Sequence, residues 1–363
     1  MAAAGSTSAA AGLHKRVVGG SNVSASGDYG YVANIVVGGK DGSAGVCTGA
    51  VIAPNVVLTS AGCVADSVSN KAVAPSTVIV GQGAKSAVVG NSTVSLSEAV
   101  AKYGYAQAQT ITVHPGFNSI AYTDNIAIVQ LAQPLAGGSV AKVISKPGAS
   151  AGAAYTGLGW GSTVAEATGA SEPSAGPFPS QLQQVQLSVG TKAACSNVWA
   201  PYANLTNSLC VVPVKASANV CNGDGLLVKT ANDKSVGIAG LLNIVAVKGD
   251  VPAEVCNNIG ATDYFTTFTN YISWITQVTP LKESDFVSRA SFTYDTVAAG
   301  GDSDSGDDTE SSDSEHESES HGGSSSDDEG GLDSVESSSA TALRLAGAAA
   351  APLVALLASA ALF

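Results

Sequence analysis

The chain has 363 residues, of which 45% are hydrophobic and only 12% charged, and its formal net charge is -13 at pH 7. That charge is local: 14 acidic residues and no Lys or Arg lie between Asp302 and Glu336, which leaves +1 for everything else. A near-neutral body without a basic stripe excludes a nucleic-acid partner held through phosphates.

The six cysteines, Cys47, Cys63, Cys195, Cys210, Cys221 and Cys256, all precede the acidic stretch. Their even number points to a disulfide framework in an oxidising compartment. There is no CxxC pair, and the only histidine between residues 17 and 300 is His114, so neither a metal site nor a cofactor is expected.

Residues 1–16 read as a signal- or propeptide-like segment, although they are less apolar than a secretory leader requires. They end in the dibasic Lys15-Arg16, where processing is expected; the competing reading is a disordered N-terminal extension. From Val17 to about Val278 the pattern is β. Short apolar runs at 31–37, 51–52, 56–58, 77–80, 110–113, 126–131 and 182–189 are separated by Gly, Ser, Asn and Pro, as in an all-β sandwich or barrel.

Helical periodicity is confined mainly to Thr266–Gln277, where Phe268, Tyr271, Ile272 and Ile275 recur around Trp274 and predict a closing helix. The Ala/Gly/Ser/Pro-rich stretch Val164–Ser180 reads as a surface loop. Asn22, Asn91 and Asn204 head N-x-S/T sequons and are candidate glycan acceptors in a secreted chain.

The acidic Ser-rich stretch reads as an extended, self-repelling stalk. Beyond it, residues 346–363 are 18 uncharged residues. As a helix they would span about 27 Å, close to the roughly 30 Å of a bilayer core. A GPI signal is favoured over a retained transmembrane anchor. Ser337-Ser338-Ser339-Ala340 offers small attachment residues, and no basic residue follows Phe363. The expected division is therefore 1–16 leader, 17–280 folded domain, 281–340 linker and stalk, and 341–363 hydrophobic anchor segment.

Several motifs in the folded domain carry a resemblance. They are Arg16-Val17-Val18-Gly19-Gly20; Cys47-Thr48-Gly49-Ala50 followed by Leu58-Thr59-Ser60-Ala61-Gly62-Cys63; Asp124-Asn125-Ile126-Ala127; Gly159-Trp160-Gly161; Cys221-Asn222-Gly223-Asp224-Gly225; and Tyr271-Ile272-Ser273-Trp274-Ile275. In this order they resemble the trypsin/chymotrypsin-like serine proteases (peptidase S1). The resemblance implies a double six-stranded β-barrel with a C-terminal helix, activation by cleavage between Arg16 and Val17, and the pairs Cys47–Cys63, Cys195–Cys210 and Cys221–Cys256.

The resemblance also locates the positions where the chemistry should sit. The general base falls on Gly62, its orienting aspartate on Asn125, and the nucleophilic serine on Gly225 or a gap. None of the three can do its part in acyl transfer, which needs an activated hydroxyl beside a base. Asp124, one residue from Asn125, is expected to face away by strand alternation, and His114 reads as a turn histidine. The pocket position that binds basic side chains in trypsin-like proteases is Asn219. Gly240-Leu241-Leu242 replaces the Ser-Trp-Gly edge that pairs with substrate. Gly223 and Asp224 keep the oxyanion-loop scaffold. Asp224 would receive the α-amine freed at Val17 or, alternatively, cap local backbone amides.

The sequence thus predicts a secreted, cell-surface pseudoprotease, monomeric, that binds a protein partner as decoy, inhibitor or adaptor. Its competitors are an active S1 endopeptidase with an atypical site and a structural wall protein without a specific ligand.

Overall fold

The computed structural model describes residues 20–23, 29–39, 44–84, 86, 94–136, 138–160, 179–215, 220, 225–231, 234–249 and 261–288. The chain divides into two units, Met1–Val297 and Ala298–Phe363. The expected stalk and anchor segment lie outside the described residues.

The first barrel is built from β2 (Val32–Gly38), β3 (Ala44–Ala53), β4 (Val56–Thr59), β5 (Val78–Gln82), β6 (Ala106–Val113) and β7 (Ala127–Leu131). It closes in the order β2-β3-β4-β7-β6-β5. The second uses β8 (Ala154–Gly159), β9 (Gln183–Val189), β10 (Ser208–Pro213), β11 (Leu226–Ala231), β12 (Lys234–Ala246) and β13 (Thr262–Thr267). Its order is β9-β10-β13-β12-β11-β8, closed by β8 pairing back on β9, while the short β1 (Ser21–Asn22) adds to the edge of β9. Every pairing between these strands is antiparallel. The double six-stranded barrel expected from the resemblance is present.

Strand alternation distributes the apolar side chains of the barrel strands between separate clusters. In β4, Val57 joins Ile35, Val51, Val80 and Val129 in one cluster, whereas its neighbour Leu58 joins a second. In β11, Leu227 packs with Tyr155, Leu187, Val211 and Phe265, whereas Leu226 and Val228 turn to the cluster that Leu58 occupies. Because successive strand side chains face opposite ways, each such strand lines its own barrel and also the seam between barrels. Trp160, Phe268, Tyr271 and Ile275 are buried in that seam.

Among the described residues three further α-helices accompany the barrels besides the closing one: α1 (Ala61–Val64), α2 (Leu96–Lys102) and α3 (Lys192–Val198). Ser95 caps α2 by accepting from Glu98 N, and Thr191 caps α3 by accepting from Ala194 N, each at 3.2 Å. The closing helix α4 covers only Ile272–Val278, shorter than the predicted Thr266–Gln277. Thr262, Thr266 and Thr267 are β-branched and pair in β13 with β10 and β12, and that pairing outweighs the helical spacing of Phe268 and Tyr271. After α4 the backbone returns to the seam, where Val287 N donates to Val143 O at 2.9 Å.

Candidate functional site

The ends of β4 and β7 are paired, Thr59 opposite Ala127, and this brings Gly62 just beyond one strand to Asn125 just before the other. Gly62 N donates to Asn125 Oδ1 at 2.8 Å. Gly62 is exposed while Asn125 is buried. A backbone N–H can only donate, so this bond fixes the Asn125 amide, whose Nδ2 then donates to Asn243 Oδ1 at 3.1 Å. Asn243 Nδ2 in turn donates to Tyr122 O at 2.8 Å. A relay of neutral amides therefore crosses from the first barrel to β12 of the second. A Cβ on Gly62 would stand 3.7 Å from Asn125 Oδ1, an ordinary contact, so a side chain is absent here by sequence and not for want of room.

Asp124 leaves this relay to its neighbour. Its φ of +50° turns the chain in the left-handed region before β7 begins, so backbone conformation and not strand alternation separates it from Asn125. Tyr271 OH donates to Asp124 Oδ1 at 2.6 Å and accepts from Asn207 Nδ2. Burial, reinforced by the Asp124 carboxylate, pushes the Tyr271 phenol far above its usual range. His114 sits edge-on to Tyr271 and Trp274, with centroids 5.1 and 5.0 Å away, and its Nδ1 accepts from Gly116 N at 3.2 Å. Partial burial lowers its pKa, with Asp124 opposing. It occupies the Val113-His114-Pro115-Gly116 turn.

Gly225 directly precedes β11. A Cβ there would fall 2.5 Å from Val220 Cγ1 and 3.3 Å from Leu158 O, so no side chain fits unless Val220 moves. Gly225 O accepts from Leu242 N at 2.7 Å. Gly240 and Leu241 are each paired on both edges, with Leu227 and Leu226 of β11 and with Thr267 and Thr266 of β13. No free strand edge exists at those two residues.

The bridges Cys47–Cys63 and Cys195–Cys210 are formed, as expected. Arg16, Val17, Asn91, Asn219, Cys221, Gly223, Asp224 and Cys256 lie outside the described residues. Asn22 and Asn204 are exposed; Asn22 Oδ1 accepts from Gln183 Nε2 at 2.8 Å.

Two residues of this region escaped the sequence reading. Asn243 follows Leu241-Leu242 and precedes Ile244-Val245, and nothing local announces its bond to Asn125, 118 positions away. Asp263 is fully buried in β13; its Oδ2 accepts from Val220 N at 3.2 Å and its Oδ1 has no partner. Burial pushes its carboxyl up to about 7, with the Val220 N–H opposing. It stands next to Val220, the neighbour of the expected pocket position Asn219. Its one visible signal is a lone acid in the run Ala261-Thr262-Asp263-Tyr264-Phe265.

Comparison with known proteins agrees with the geometry. The trypsin family model matches residues 17–275. Among solved structures, the chain is similar to mouse neuropsin, a serine protease expressed in the limbic system of the brain. The TM-score is 0.50 and the identity 16%, over 71% of this chain and 98% of that one. With two closed six-stranded barrels and a family match across the whole of both, the chain belongs to the trypsin family.

Proposed function

We propose that this family member is a secreted, non-catalytic homologue that works by binding another protein, as a decoy, inhibitor or adaptor. The observation that carries the reading is the neutral relay. The base position is Gly62, which has no side chain to accept a proton, and the group beside it is the neutral amide of Asn125, whose Oδ1 accepts from the Gly62 backbone. A relay of amides supplies neither a proton acceptor nor a charge to support an imidazolium. Gly225 adds to it, since Val220 occupies the space a serine Cβ would need. Acceleration by serine proteases depends on the base and nucleophile acting as a unit, so loss of both removes all but about 10³ to 10⁴-fold of it.

The two disulfides fit a secreted protein. The acidic stretch then serves as a stalk and the terminal apolar residues as a GPI signal, holding the domain at the cell surface. Of the two described sequons, Asn204 offers the freer amide, because the Asn22 carbonyl is engaged by Gln183.

Incubation of the purified protein with a fluorophosphonate probe tests the reading. The expected result is no covalent adduct; stoichiometric labelling would establish an active endopeptidase with an atypical site instead. Release of the surface protein by a phosphatidylinositol-specific phospholipase checks the anchor.

A further inference from the structure

Beside the amide relay lies a cavity of about 210 Å³ whose walls include Tyr122, Asp124, Asn207, Ser208, Asn243 and Thr266. The hydrogen bonds around it are oriented. Tyr271 OH donates to the Asp124 carboxylate, so it must accept from Asn207 Nδ2, and the Asn207 carbonyl oxygen takes no part in that bond. Asn243 is fixed likewise: its Nδ2 is used on Tyr122 O, and its Oδ1, which takes one bond from Asn125, keeps a second lone pair. Ser208 Oγ is buried without a partner. The walls therefore hold a carboxylate, two side-chain amides and a buried hydroxyl, with one N–H of each amide already engaged inside the protein. No Lys, Arg or His is among the lining residues.

A pocket with one carboxylate, one aromatic ring, Tyr122, and no cationic side chain in its lining is complementary to a donor-only cation. We infer that this cavity binds a primary ammonium group, presented by a lysine side chain or by a free amine. The ammonium would donate to Asp124, Asn207 Oδ1 and Ser208 Oγ, and its alkyl stem would leave past Tyr122. This site is independent of whether the chain turns over a substrate, because it uses neither Gly62 nor Gly225.

The test is calorimetric titration of the full chain with Nα-acetyl-lysine amide and with pentylamine, and with 1-pentanol as the neutral control. Saturable binding of the amines but not of the alcohol is expected. It should weaken at least about tenfold in Asp124→Asn, which keeps the acceptor for Tyr271 and removes the charge. It should also be lost in Ser208→Val, which suits a strand and fills the space beside the hydroxyl. The lysine derivative binding more tightly than pentylamine would assign the site to a peptide side chain, and the reverse to a free amine. No saturable binding up to about 10 mM, or equal affinity in wild type and both variants, overturns the inference. Neither result touches the fluorophosphonate experiment.

Discussion

Replacing Asp263 by Asn isolates the energetic effect of one buried carboxyl. The side chain is fully buried, one oxygen takes the Val220 N–H, and the other has no partner. Its pKa rises from 3.8 to about 7 on folding. The folded state therefore holds the proton more tightly than the unfolded chain, and stability must fall as pH rises from about 4 to about 7, by about 1.4 kcal/mol per pH unit. The accumulated loss above neutrality is about 4 kcal/mol. Asparagine keeps the acceptor for Val220 and cannot ionise.

Thermal unfolding of wild type and Asp263→Asn followed by circular dichroism across this range measures the difference. Near pH 4 the two should melt together within a few degrees; near pH 8 the variant should melt about 10 °C higher, at 2 to 4 °C per kcal/mol for a domain of this size. Parallel pH curves for the two proteins would refute the argument, since they would mean that the carboxyl is hydrated or paired in the folded state.

Three other outcomes are expected. Gly62→Ala should change stability by less than about 0.5 kcal/mol because its Cβ meets nothing closer than 3.7 Å, whereas Gly225→Ser should lose about 1–3 kcal/mol through the clash with Val220; chemical denaturation of both compares them. Removing the Cys47–Cys63 bridge by a double Ala substitution should lower stability by about 3 kcal/mol, read from the denaturant midpoint, as it closes a loop with a sequence separation of 16. His114 has the opposite sign to Asp263. Its pKa is lowered from 6.5 on folding, so stability is present above that value and falls as the pH drops below it; His114→Gln should flatten that acid limb in the same melting experiment.

Much of the architecture is legible along the chain. The apolar runs at 31–37, 56–58, 126–131 and 182–189 become β2, β4, β7 and β9, because alternation on a pleated strand and Gly/Ser/Asn punctuation are local properties. The strands from Leu226 to Thr267 were less visible. There the stretch 237–246 of β12, buried on nearly every residue, lacks alternation, and the threonines of β13 overlap a helical spacing. The sequence reading missed α2 and α3: Ser95 and Thr191 cap them, but helices of seven residues leave too short a period to stand out.

The sequence by itself determined which chemical groups the site can contain: Gly at 62, Asn at 125, Gly at 225, and four cysteines at spacings that the fold then bridges. Only the tertiary structure decided what those groups do to one another. The Gly62–Asn125 bond spans 63 residues, Asn125–Asn243 spans 118 and Tyr271–Asp124 spans 147. Such contacts arise when two barrels close and their seams meet, and no local propensity encodes them. The same closure buries Asp263 against Val220 and leaves a polar cavity with one carboxylate beside the amide relay, two features for which the linear chain offers only a lone acid in an apolar strand and a scatter of Asn and Ser.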